Sequence, residues 1–96
     1  MGFDEVKRLV LEALRTGKIQ HDFRTGESKN LLASGLVDPF VAMDLIGRTR
    51  GHEAHESPHH ADASVQVWVL RPRGWYIKVY YRKVWRFVSF HREGEQ

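Results

Sequence analysis

Residues 75–91 read Trp-Tyr-Ile-Lys-Val-Tyr-Tyr-Arg-Lys-Val-Trp-Arg-Phe-Val-Ser-Phe-His. Branched and aromatic residues are dense here and alternate with polar ones, the period-two signature of half-buried strands. The pattern predicts strands over Trp75–Arg82 and Trp85–His91 with Lys83-Val84 at the hairpin tip. Partners across that tip are Tyr76 with His91, Lys78 with Ser89 and Tyr80 with Phe87. Upstream, Val65–Leu70 reads as a third strand, and Arg71-Pro72-Arg73-Gly74 is a turn sequence that sets Val67 opposite Lys78 and Val69 opposite Tyr76. One face then gathers Trp68, Leu70, Ile77, Val79, Tyr81, Val88 and Phe90, apolar enough to hold helices. The other face gathers Arg71, Tyr76, Lys78 and His91 at one end.

The N-terminal half supplies those helices. Val6, Leu9, Val10, Ala13 and Leu14 form one apolar stripe at helical spacing, which predicts a helix over residues 4–16 with Asp4 at its start and Gly17 past its end. Lys18 to Phe23 reads as a short strand. Gly26 marks a turn, and Ser28 is the expected cap of a short helix running through Leu31, Leu32 and Ala33 to Gly35. Asp38-Pro39 is a capping carboxylate followed by proline at the first helical position, so a third helix runs from Pro39 to about Ile46 and stops at Gly47. Residues 48–63 contain no hydrophobic run and read as a long loop. The expected architecture is α+β: N-terminal helices packed on one face of a largely antiparallel sheet that ends in a three-strand meander, one domain over residues 1–96.

Composition narrows the functional classes. A chain of 96 residues with 42% hydrophobic and 28% charged residues fits one domain with a modest core. Cysteine is absent, which excludes disulfide frameworks and thiolate zinc sites. No stretch approaches a membrane span, and Asp4 and Glu5 stand where a signal peptide carries basic residues, so the expectation is a soluble, cytoplasmic protein. Residues 65–92 hold seven Lys/Arg, no acid and eight of the eleven aromatics, whereas residues 1–64 carry ten acids against eight Lys/Arg. A basic, aromatic, acid-free segment suits phosphate backbones and stacked bases. The same composition describes an aromatic core with a solvated basic rim, or a surface for an acidic protein.

His52, His55, His59 and His60 lie within nine residues. Imidazole is a common metal ligand, but His52-Glu53-Ala54-His55 is one residue short of the His-Glu-x-x-His spacing and no cysteine is present to complete a site. Histidine is also the side chain poised for acid–base work near neutral pH. Neither a Gly-rich phosphate loop nor a nucleophile elbow is present.

The second half resembles the MqsR-like mRNA interferase toxins, within the RelE-like toxins of bacterial toxin–antitoxin systems. Arg71-Pro72, Tyr76-Ile77-Lys78-Val79 and Val88-Ser89-Phe90-His91 stand where that family has Arg-Pro, Tyr-Leu-Lys-Ile and Val-Ser-Phe-Lys, with the same spacing from the tyrosine to the final basic residue. The earlier Val10…Leu14-x-x-Gly17-Lys18 and Gly35-Leu36…Asp38 are similar as well. The resemblance implies a ribosome-independent endoribonuclease with its site on the open sheet face. It sets the family's catalytic tyrosine on Tyr76, its C-terminal lysine on His91 and another lysine nearest His55. The family's glutamine falls by offset on Val67, with Gln66 adjacent on the other face. Two family lysines have become histidines here.

The expectation is a metal-independent, cofactor-free endoribonuclease. His91 or His55 serves as base on a ribose 2′-OH and the other as acid on the 5′-oxygen, leaving a 2′,3′-cyclic phosphate. Arg71 and Lys78 stabilise the phosphoryl charge and Tyr76 positions the phosphate or stacks a base. Arg73, Tyr80, Arg82, His59 and His60 are the candidate RNA contacts around that centre. Partners would be mRNA and an acidic cognate antitoxin, with the ribosome a further candidate and no membrane. A non-catalytic nucleic-acid or protein-binding module, and a small His-rich metal-binding protein, fit the same residues less closely.

Overall fold

In the computed structural model, which describes residues 1–23 and 29–94, the chain runs helix, strand, two helices, then four consecutive strands. Helix α1 (Phe3–Thr16) buries Val6, Val10, Ala13 and Leu14 along the expected stripe, and Gly17 ends it in the left-handed conformation at φ 74°. Its N-cap is Gly2 rather than Asp4. Asp4 and Glu5 instead occupy the first turn, where their charge complements the helix dipole. Strand β1 (Ile19–His21) is shorter than the Lys18 to Phe23 expectation. The expected turn at Gly26 and cap at Ser28 lie outside the described residues. Helix α2 (Leu31–Ser34) is capped by Asn30, whose side-chain oxygen accepts the Ala33 N–H at 3.1 Å. Helix α3 (Pro39–Gly47) starts as the Asp38-Pro39 pair predicts: the Asp38 carboxylate accepts the N–H groups of Phe40 and Val41 at 2.8 and 3.0 Å.

Strands β2 (Ala54–Pro58), β3 (Gln66–Leu70), β4 (Trp75–Arg82) and β5 (Val84–Arg92) form an antiparallel meander, and β1 joins β5 in parallel. The sheet is therefore five-stranded and mixed, in the order β1-β5-β4-β3-β2. The expected loop over 48–63 is corrected: it contains a short helical turn at Gly51–Glu53 and then β2. An edge strand exposed along most of its length needs no apolar run, so His55-Glu56-Ser57 forms a strand without a hydrophobic pattern.

Both hairpins depart from the expected registers. Val67 pairs with Tyr80 and Val69 with Lys78, a two-residue shift from the expectation, because Pro72–Gly74 forms a helical turn and pairing with β3 begins only at Leu70–Ile77. A shift of two preserves faces. In the last hairpin Lys83 alone separates the paired residues Arg82 and Val84, so Tyr80 pairs with Arg86, not Phe87. An irregularity between Lys78 and Val79 then leaves Val88 as an extra residue on β5 and returns the far end to Lys78–Ser89 and Tyr76–His91.

The bulge also reassigns two faces. Phe87 and Phe90, three apart, both lie in the core, together with Trp68, Leu70, Ile77, Val79 and Trp85 against α1 to α3. Val88 moves to the open face, where it forms a small cluster with Val67 and Tyr80, and Tyr81 is about half exposed rather than core (53%). Truncating Phe87 or Phe90, both fully buried, is expected to cost about 3–5 kcal/mol. No helix among the described residues is long and apolar enough to cross a membrane.

Candidate active site

The open face carries the candidate site, and the register of β4 on β5 builds its centre. Tyr76 and His91 are direct cross-strand partners whose rings stack with centroids 5.2 Å apart and 22° between planes. The Arg71 guanidinium, arriving from the end of β3, lies 5.5 Å from the Tyr76 ring centroid, a cation–π arrangement. His91 Nδ1 lies 3.0 Å from the Arg92 carbonyl oxygen. A carbonyl only accepts, so Nδ1 holds the proton in the neutral ring and Nε2 is the basic nitrogen. Lys78, two residues along β4 on the same face, pairs with Ser89 and is therefore the diagonal neighbour of His91.

His55 lies in the same row as Lys78, through Val69, but on the edge strand β2. Three strand spacings, about 14 Å at about 4.8 Å each, separate β2 from β5. His55 and His91 are therefore not cross-strand neighbours, and the ring that the register sets beside His91 is Tyr76.

The remaining expected contacts divide between two places. Tyr80 is buried and donates its hydroxyl to Asp22 at 2.9 Å, joining β4 to the end of β1. The His59 ring meets Tyr80 edge-on with centroids 4.8 Å apart and stacks on His60 at 4.6 Å. His59 is only 7% exposed, and its Nδ1 accepts the Ala61 N–H at 3.1 Å, which fixes the ring. These rings form one wall of a pocket of about 290 Å³, with Val67 and Val88 as its floor and Lys78 and Ser57 at its polar edge. Arg82, exposed near the hairpin tip, lies close enough to Asp62 to help hold that carboxyl below the usual range. The larger cause is the Ser64 hydroxyl and amide, both of which donate to Asp62. Arg73 is elsewhere: it lines a polar pocket of about 360 Å³ with Arg48, Arg50, His52 and Glu53.

Two acids in the neighbourhood escaped the sequence reading. Glu93 pairs with Arg71 at 3.3 Å, reached because the Glu93 N–H bonds to the Gly74 carbonyl and folds the tail over the β3–β4 turn. Asp22 bonds Tyr80 from 58 residues away, a separation no local pattern reports. Among the described residues no group of three or more His, Asp or Glu side chains is placed to hold a metal ion. Comparison with protein-family models, characterised proteins and solved structures finds no match to this chain.

Proposed function

We propose that this protein is a metal-independent endoribonuclease of the RelE-like, MqsR-like kind, the toxin of a toxin–antitoxin pair. The observation that carries the reading is the Tyr76–His91 stack beneath the Arg71 guanidinium, with Lys78 diagonal to it. Cleavage of RNA by its own 2′-OH needs no protein nucleophile. It needs a base at the hydroxyl, a proton for the leaving 5′-oxygen and positive charge on the phosphoryl oxygens. His91 Nε2 takes the 2′-OH proton, and the 2′-oxygen bonds to phosphorus. The P–O5′ bond breaks as the Tyr76 hydroxyl gives its proton to the departing oxygen, leaving a 2′,3′-cyclic phosphate. Arg71 and Lys78 hold the added negative charge. The Arg71–Glu93 pair is partly exposed, and such pairs contribute about 0–1 kcal/mol, so a phosphate displaces the carboxylate readily. An acidic antitoxin would occupy the same basic face.

The test is incubation of wild type, Tyr76→Phe and His91→Ala with a long mRNA, with and without EDTA, mapping cuts and 3′-ends. Chelator-insensitive cuts ending in cyclic phosphate, lost in both variants without loss of RNA binding, are expected. A folded wild type that binds RNA and does not cut it would overturn the nuclease reading and leave a nucleic-acid-binding module.

A further inference from the structure

The pocket beside the proposed phosphate site shares Lys78 with the cleavage chemistry, and its other lining residues have no part in that chemistry. At about 290 Å³ it falls just below the size of drug-sized ligand pockets, which run upward from about 300 Å³. Its floor is apolar, made by Val67 and Val88, which cluster with Tyr80 on the open face. One wall is flat and aromatic, from the stacked His59 and His60 with Tyr80 edge-on behind them. The edge is polar: Lys78 offers donors only, and Ser57 offers a hydroxyl. Lys78 also neighbours His91 diagonally, so the pocket opens beside the centre where a phosphate would sit.

We propose, resting on the RNA-cleaving reading above, that this pocket receives a single nucleobase from the nucleotide next to the cut. The base packs its faces between the imidazole wall and the valine floor, and the Lys78 ammonium donates to a carbonyl on its edge. Stacking accepts any base, whereas a donor-only cation discriminates in favour of keto groups. Guanine, uracil and cytosine each carry a carbonyl and adenine carries none, so the pocket disfavours adenine at one position of the substrate.

The experiment is an NMR titration of the full chain with the four ribonucleoside 5′-monophosphates and with ribose 5-phosphate, following the ring signals of His59, His60, Tyr80, Tyr76 and His91. Ribose 5-phosphate is expected to move Tyr76 and His91 alone. The nucleotides move the pocket rings as well, with the adenosine form binding roughly fivefold more weakly than the other three, the scale of one hydrogen bond. Val67→Trp, which fills the pocket, abolishes the base dependence and leaves the ribose 5-phosphate titration unchanged. His60→Ala, at an exposed position, weakens the base-dependent part should the tryptophan variant not fold. Nucleotides and ribose 5-phosphate moving the same signals with the same affinity would overturn the base pocket while leaving the phosphate site standing. Base-dependent shifts of the pocket rings with none at Tyr76 or His91 would do the reverse. An aromatic peptide competing for the pocket where no nucleotide does would assign it to a protein partner and overturn the proposal.

Discussion

Lys83 and Val88 cancel each other: the single-residue tip at Lys83 moves the β4–β5 register by one, and the extra residue at Val88 moves it back. Without the bulge, Tyr76 and His91 would lie on opposite faces of the sheet, because a one-residue slip inverts every side chain beyond it. Deleting Val88 instead removes the surplus residue itself and leaves a regular ladder with Lys78 opposite Ser89 and Tyr76 opposite His91. The ring contact is therefore expected to survive, readable as retained cross-strand signals between the two rings; loss of those signals would show that the bulge does more than offset the tip. Lys83 holds φ at 67°, a region costly to a residue with a Cβ. Lys83→Gly should raise stability by about 0.5–1 kcal/mol in urea unfolding and leave the site intact. A destabilised Lys83→Gly would mean that the lysine side chain itself stabilises the turn.

Much of the fold is legible because its signals are local. The α1 stripe, the Asp38-Pro39 start and the alternation of β4 each need only neighbouring residues. Strand β2 is hidden because its outer edge faces solvent, so Ala54–Pro58 carries no apolar pattern to read. The bulge leaves a faint trace: Phe87 and Phe90 are both large and apolar at a spacing of three, which strict alternation places on opposite faces. The Tyr76–His91 pairing follows from the sequence only because a tip shifted by one and an unforeseen bulge offset each other. Glu93 and Asp22 act through tertiary approach alone, and nothing in the spacing of Arg71 or Tyr80 announces them.

Glu93 restrains the cation nearest the proposed phosphate. Its carboxylate occupies Arg71 at 3.3 Å on a partly exposed surface. Glu93→Gln removes the competing charge, so RNA affinity at low salt is expected to rise about two- to fivefold while thermal stability changes by less than about 0.5 kcal/mol. Fluorescence anisotropy with a short single-stranded RNA reads the affinity. Unchanged or weaker binding would show that Arg71 reaches RNA only with Glu93 in place, or not at all.

Acid should weaken the fold through His21. Burial beside Phe87 and Phe23 lowers its pKa below the ordinary 6.5, and its Nδ1 accepts from Asn30 Nδ2 at 3.1 Å, a bond lost on protonation. The unfolded chain then binds the proton more readily than the folded one, so stability is full above about pH 7 and falls as pH drops through the unfolded value near 6.5. His21→Asn keeps an acceptor for Asn30 and cannot titrate, so its unfolding free energy should change less between pH 7 and 5 than that of wild type. Equal slopes would assign the acid sensitivity to another group. Asn30 itself is fully buried, donates to the Phe87 carbonyl at 3.2 Å and caps α2. Asn30→Ala is expected to cost about 2–3 kcal/mol.

Arg73 offers a way to separate folding from binding. It sits in the left-handed region at φ 51° and ψ 39°, followed by Gly74 at φ 82°, and it lines a polar pocket together with Arg48 and Arg50. A strained cation beside two others is expected where an RNA strand leaving the Tyr76–His91 centre would run its phosphates. Arg73→Gly relieves the backbone and removes the charge. Its urea midpoint should equal or exceed that of wild type. RNA binding should weaken, and the plot of log affinity against log salt should flatten by about 0.7, the share of one phosphate contact on a single strand. An unchanged salt slope would show that Arg73 touches no phosphate and that its strained backbone serves the β3–β4 turn alone.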